Sequence, residues 1–130
     1  MPTKILFADD EPDIVATIKM LLEIHGYRVT SAYDGDEAFV LAQEDKYDLF
    51  LLDVLIPKTL GDDLGALLRR DPRNAKTPII YLTNLPLEAL TGLSETEKIP
   101  FQQDSKGNFY VQKNCSDEDL LAAIQLALKK

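Results

Sequence analysis

The chain is predicted to form an α/β fold in which helices cover both faces of a parallel sheet. Short apolar runs of strand character alternate with stretches of helical periodicity, the pattern of βαβ units. Two of the runs, Leu49-Phe50-Leu51-Leu52 and Pro78 to Leu82, are almost continuously apolar, as strands buried on both faces are. Polar residues, moreover, close one run after another instead of scattering over both ends of the sheet.

Lys4 to Ala8 is the first strand. Pro12, suited to a helix's first turn, opens a helix with an apolar face of Ile14, Ile18, Leu21 and Leu22, and Gly26 ends it. Tyr27 to Ala32 is the second strand, Asp34-Gly35 a turn, and Glu37 to Glu44 a helix burying Ala38, Leu41 and Ala42. Leu49 to Leu52 is the third strand, followed by a helix over Asp62 to Arg70 that Pro72 closes. Pro78 to Leu82 is the fourth strand and Phe109 to Gln112 the fifth. Ser116 caps a last helix with Leu120, Leu121, Ile124 and Leu128 on one face.

Length and charge bound the function. A chain of 130 residues, 45% apolar and 28% charged, suits one domain spanning residues 1–130, with no linker to an output domain in view. With 22 acidic against 14 basic residues, the net charge of -8 disfavours direct contact with nucleic acid or anionic lipid. One cysteine, Cys115, cannot form an internal disulfide, and no apolar stretch approaches the roughly 18 residues of a membrane span. A cytoplasmic location is the expectation.

Parallel α/β sheets bind ligands beyond the carboxyl ends of their strands. Here those ends carry Asp9-Asp10-Glu11, Asp53, Thr83 and Lys113. Several carboxylates in one crevice cannot all stay ionised without a cation or a raised pKa, and Mg²⁺, which binds one or two carboxylates plus waters and phosphate, suits an open acidic crevice. Asp53 is then placed to act as a nucleophile toward phosphorus, with Mg²⁺, Lys113 and the Thr83 hydroxyl neutralising the equatorial oxygens.

At these residues the chain resembles the receiver domains of two-component response regulators. Phe7-Ala8-Asp9-Asp10-Glu11-Pro12 is similar to their acidic start and Leu52-Asp53-Val54-Leu55-Ile56-Pro57 to their phosphoacceptor segment, with Pro57 and Gly61 at the expected offsets. Ile80-Tyr81-Leu82-Thr83 resembles the hydroxyl-bearing strand, and Tyr110-Val111-Gln112-Lys113 the aromatic and lysine pair. The resemblance covers nearly the whole chain. It implies a flavodoxin-like, doubly wound, five-stranded parallel sheet in the order 2-1-3-4-5. It further implies that Asp53 accepts a phosphoryl group from a histidine kinase or phosphotransfer protein, and that Asp9, Asp10, Asp53 and the backbone carbonyl of Leu55 hold Mg²⁺. Lys113 would pair with the phosphoryl group, Thr83 would swing toward it and Tyr110 would change its exposure, signalling through the domain's own surface to an unknown downstream protein.

Several positions depart from the family's pattern. Thr83 and Lys113 stand 30 positions apart, more than is usual, so the region between strands four and five is expected to be atypical and extended. Leu87 to Leu90 offers one helical turn, Ser94 to Glu97 resembles a capping box, and Ile99-Pro100 interrupts any helix there. Phe101 to Asp104 followed by Ser105-Lys106-Gly107-Asn108 is expected to fold back as a hairpin onto the strand from Phe109. Asn114 replaces the family's usual proline, so a trans Lys113–Asn114 bond is expected, a non-proline cis bond costing about 3 kcal/mol. Asn84 is expected to narrow access to Asp53; Leu55 and Leu85 are apolar at positions that in the family influence attack by water on the acyl phosphate, so the resemblance implies a long-lived phosphorylated state.

Other readings compete. Glu11, Asp13, Asp62 and Asp63 read as solvated surface, Cys115 as a small packed thiol, and His25 as a residue near a helix end without a catalytic role. Thr83 and Lys113, each taken alone, read as an ordinary strand residue and a surface lysine. The main alternative function is a pseudo-receiver, a protein-interaction module that signals without phosphorylation. A haloacid-dehalogenase-like phosphatase would need a second aspartate where Leu55 stands, and dinucleotide binding would need a glycine-rich turn where Asp10-Glu11-Pro12 stands.

Overall fold

The computed structural model describes residues 2–54, 61–83, 101–103, 108–113 and 115–129. Its elements follow in the order β1 (Lys4–Ala8), α1 (Pro12–Ile24), β2 (Arg28–Ala32), α2 (Gly35–Glu44), β3 (Leu49–Asp53), α3 (Gly61–Arg69), β4 (Ile79–Thr83), β5 (Phe101–Gln103), β6 (Phe109–Gln112) and α4 (Asp117–Leu128). Among the described residues the strands form one sheet in the order β2-β1-β3-β4-β6-β5. Counting β6 as the predicted fifth strand, the five parallel strands stand in the predicted order 2-1-3-4-5.

Side-chain alternation explains the uninterrupted apolar runs. Ile5, Phe7, Leu49, Leu51, Ile80 and Leu82 point to the layer of α1 and α4, where Val15, Leu22, Leu120 and Ile124 meet them. Leu6, Phe50, Leu52, Ile79 and Tyr81 point the other way, toward Ala38 and Ala42 of α2 and Leu64 and Leu68 of α3. Both faces of β1, β3 and β4 are therefore interior, which leaves no position for a polar residue until the strand ends.

Each helix stops and starts for local reasons. Gly26 follows α1 at a φ of 91°, the left-handed conformation that favours glycine. Ser116 caps α4, its hydroxyl accepting a hydrogen bond from the Asp119 N–H at 3.1 Å. The second helix begins at Gly35 rather than Glu37. Asp34 is its N-cap, not part of a free-standing turn, because its carboxylate accepts from the Glu37 N–H at 2.8 Å while Glu37 accepts from the Tyr33 N–H at 2.7 Å.

The expected hairpin is present: β5 pairs antiparallel with β6, Phe101 opposite Val111 and Gln103 opposite Phe109. On its other flank Asn108, the residue before β6, receives a 2.7 Å hydrogen bond from the Arg69 guanidinium, which also reaches the Ala75 carbonyl at 2.9 Å. The start of β6 is thus tied to the end of α3. Expectations for Leu55, Pro57, Asn84, Leu85, the helical turn at Leu87 to Leu90, Ser94 to Glu97, Ile99-Pro100 and the Lys113–Asn114 bond fall outside the described residues.

Candidate functional site

The sheet changes direction of winding at β1, which has β2 on one side and β3 on the other. Crevices form at such a point, because the connections from the two neighbouring strands leave in opposite directions. Asp9 follows β1 and Asp53 closes β3, so both carboxylates flank that crevice. The backbone ladder continues past the strand ends and holds them there. Asp9 N–H donates to the Ala32 carbonyl at 3.0 Å, Val54 N–H to Leu82 at 3.0 Å, and Lys113 N–H to Thr83 at 2.8 Å.

Lys113 reaches back over the strand ends into the cluster. Its Nζ stands 2.9 Å from Asp53 Oδ2, 3.0 Å from Asp9 Oδ2 and 3.1 Å from Glu11 Oε1. Burial pulls the ammonium toward losing its proton, but its close contacts with Asp53, Asp9 and Glu11 outweigh that and raise its pKa above the ordinary lysine value. Asp9 is completely buried, and Asp53 is 5% exposed. Asp10, the third carboxylate, is exposed beside them.

One ammonium does not satisfy this cluster. Asp9 Oδ1 accepts a hydrogen bond from the Glu11 N–H at 3.0 Å, whereas Asp9 Oδ2, although close to Nζ, receives no properly directed hydrogen bond. A buried carboxylate oxygen in that state is costly without a further cation. Asp9, Asp10 and Asp53 each offer an oxygen, and the three oxygens lie within 4.8 Å of one another. An all-oxygen set with one solvent-facing member fits a hard divalent ion that keeps some of its waters, such as Mg²⁺.

The predicted site residues Asp9, Asp10, Asp53 and Lys113 are therefore gathered at one edge. Thr83 is buried at the end of β4, its carbonyl holding the Lys113 backbone. Tyr110 lies half-buried further along β6, stacked on Tyr81 with ring centroids 5.2 Å apart, and Tyr81 in turn fills the notch left by Gly65 on α3. Leu55 lies outside the described residues.

Two partners were not legible. Glu11, expected to be plain surface, touches Lys113 across a separation of 102 positions, and no local signal marks that contact. Tyr81 read only as part of an apolar strand; the signal for its packing was Gly65, a helix-interior glycine with no turn to make. His25 Nδ1 donates to the Leu21 carbonyl at 2.9 Å, near the helix end and away from the cluster. Among the described residues no helix is long and apolar enough to cross a membrane.

Known proteins share this fold and sequence pattern. The family model for the response regulator receiver domain matches residues 5–125. The transcriptional regulatory protein CpxR of Escherichia coli K12 is 34% identical over 129 residues, covering 98% of this chain and 50% of CpxR. The DNA-binding dual master transcriptional regulator RpaA of Synechocystis is 34% identical over 127 residues, covering 98% of this chain and 49% of RpaA. The chain thus spans about half the length of these curated relatives. The chemotaxis response regulator CheY4 of Vibrio cholerae superposes with a TM-score of 0.83 at 27% identity, over 98% of this chain and 100% of that one. Fold, family match and relatives agree, and the chain belongs to the response regulator receiver domain family of two-component signalling.

Proposed function

We propose that the domain is a phosphorylation switch in which Asp53 accepts a phosphoryl group from a phosphohistidine of a histidine kinase or phosphotransfer protein. The observation that carries this reading is the setting of Asp53. It closes a fully buried strand, 2.9 Å from Lys113 Nζ, with its oxygen among those of Asp9 and Asp10. In the transfer an Asp53 oxygen forms a bond to phosphorus, the phosphorus–nitrogen bond breaks, and its electron pair stays on the imidazole.

Asp9, Asp10 and Asp53, with the Leu55 backbone carbonyl, are the ligands for Mg²⁺, which when bound supplies positive charge against the phosphoryl oxygens. Lys113 exchanges its contact with Asp53 for one with a phosphoryl oxygen. Thr83 turns its hydroxyl to the same group, and Tyr110 changes its exposure as the strand end adjusts. The domain is a phosphoacceptor that catalyses its own modification and loses the phosphate slowly, and the readout is a downstream protein that recognises the altered surface.

Incubation of the purified chain with Mg²⁺ and acetyl phosphate tests the reading by intact mass. A single phosphoryl adduct that Asp53→Asn abolishes is the expected result. An unmodified wild-type chain whose partner binding survives Asp53→Asn would instead favour the interaction-module alternative.

A further inference from the structure

Glu11 occupies the N-cap position of α1, yet its side chain makes no capping hydrogen bond. Glutamate is a poor N-cap, and Pro12 at the first helical position already suits the helix start. The Glu11 carboxylate instead reaches Lys113 Nζ, 3.1 Å away. Its surroundings differ from those of the other two carboxylates on that nitrogen. The Glu11 side chain is 55% exposed, whereas those of Asp9, Asp53 and Lys113 are 0%, 7% and 6% exposed.

The ammonium therefore lies between two sets of partners. On the interior side are Asp9 and Asp53, two of the three carboxylates that a divalent cation would draw on, and on the solvent side is Glu11 alone. An ammonium and a divalent cation drawn to the same two carboxylates repel each other, and a poorly solvated crevice screens that repulsion weakly. Lys113 must give way, and a buried ammonium that loses its counter-ions is costly unless another carboxylate receives it.

We infer that Glu11 is a positioning residue that receives Lys113 when a divalent cation claims Asp9 and Asp53. Lys113 is then the site's internal counter-ion, competing with the cation, and Glu11 lowers the energy of the displaced arrangement. The inference rests on the proposed metal reading of Asp9, Asp10 and Asp53. It goes beyond that reading by assigning a role to a residue that neither ligates the cation nor touches the phosphoryl group.

A double-mutant cycle in Mg²⁺ affinity tests it, with the dissociation constant measured by isothermal titration calorimetry and no phosphodonor present. Lys113→Met should tighten Mg²⁺ binding about tenfold, by removing the competitor. Glu11→Gln should weaken it about threefold to fivefold when Lys113 is present, and leave it unchanged in the Lys113→Met background. Equal weakening in both backgrounds would mean that Glu11 acts on the cation by direct Coulomb attraction, and would overturn the inference. So would no change in either background. A folded wild-type chain that binds no Mg²⁺ would overturn the metal reading itself and the inference with it. Should Lys113→Met fail to fold, Lys113→Gln, a neutral side chain able to hydrogen-bond the carboxylates, completes the same cycle.

Discussion

Lys113 Nζ stands 2.9 Å from Asp53 Oδ2 although 60 positions separate the two residues in sequence. Adjacent strands do not bring them together; β4 lies between β3 and β6. The lysine side chain crosses the end of β4, and the Thr83 carbonyl fixes its backbone while it does so. The contact is therefore a property of the sheet's strand order, and it is sensitive to anything that displaces β6.

Removing that cation should destabilise the metal-free fold. Lys113→Met deprives the buried Asp9 and Asp53 carboxylates of the ammonium they share, and a loss of about 2–4 kcal/mol in urea denaturation is expected. Its sign with pH follows from the raised pKa of the ammonium. The folded state holds this proton more tightly than the unfolded state. The stabilisation is thus fully present below the unfolded value of about 10.4 and is lost as pH rises through the higher folded value. Wild type should show that alkaline loss in metal-free buffer, and Lys113→Met should lack it.

Asp10→Asn should act in the opposite direction. It removes one of several like charges from the crevice, and a gain of about 1 kcal/mol in metal-free buffer is expected. Adding Mg²⁺ should shrink or reverse the gain, because the variant surrenders a ligand oxygen. Paired urea melts with and without Mg²⁺ measure both effects; a loss of stability without metal would contradict the excess of negative charge.

Gly65 is a packing requirement. A Cβ at that position would clash with the Tyr81 hydroxyl, and Tyr81 is held on its other side by the Tyr110 ring. Alanine improves helix propensity by about 1 kcal/mol, but overpacking against a buried, stacked tyrosine outweighs it. Gly65→Ala should therefore destabilise by about 1–2 kcal/mol, and Tyr81→Phe should recover part of the loss by removing the clashing oxygen. Thermal melts of the single and double variants decide it.

Cys115 should be a sluggish nucleophile. Burial raises its thiol pKa, and the nearby Asp119 and Asp117 carboxylates raise it further, which outweighs the backbone N–H groups of Cys115 and Leu120 that favour the thiolate. Alkylation by iodoacetamide at pH 7.5 should be several times slower in the native chain than in urea. Equal rates would show that the thiol is open to solvent.

Much of this was legible because two-sided burial writes itself into sequence. Strands β1, β3 and β4 carry apolar side chains on both faces, so their carboxyl-terminal limits are marked by the first polar residue, and that residue is a candidate site residue in each case. The hairpin was legible too, since Ser105-Lys106-Gly107-Asn108 separates two short runs at hairpin spacing. Asp34-Gly35 was misread because the same dipeptide suits a turn and a helix cap, and only the Glu37 N–H that Asp34 accepts distinguishes them. Glu11 was missed for a different reason. Its partner is supplied by the other end of the chain, and an acidic residue beside two aspartates otherwise resembles solvated surface.

The central claim is that Asp53, not a neighbouring carboxylate, becomes the acyl phosphate. Borohydride reduces an acyl phosphate to the alcohol, so treatment after exposure to acetyl phosphate and Mg²⁺, followed by peptide mapping, would convert the modified aspartate to homoserine and locate it. Homoserine at position 53 alone is the predicted result. Conversion confined to Asp9 or Asp10, or no conversion anywhere in a folded chain, would contradict the account.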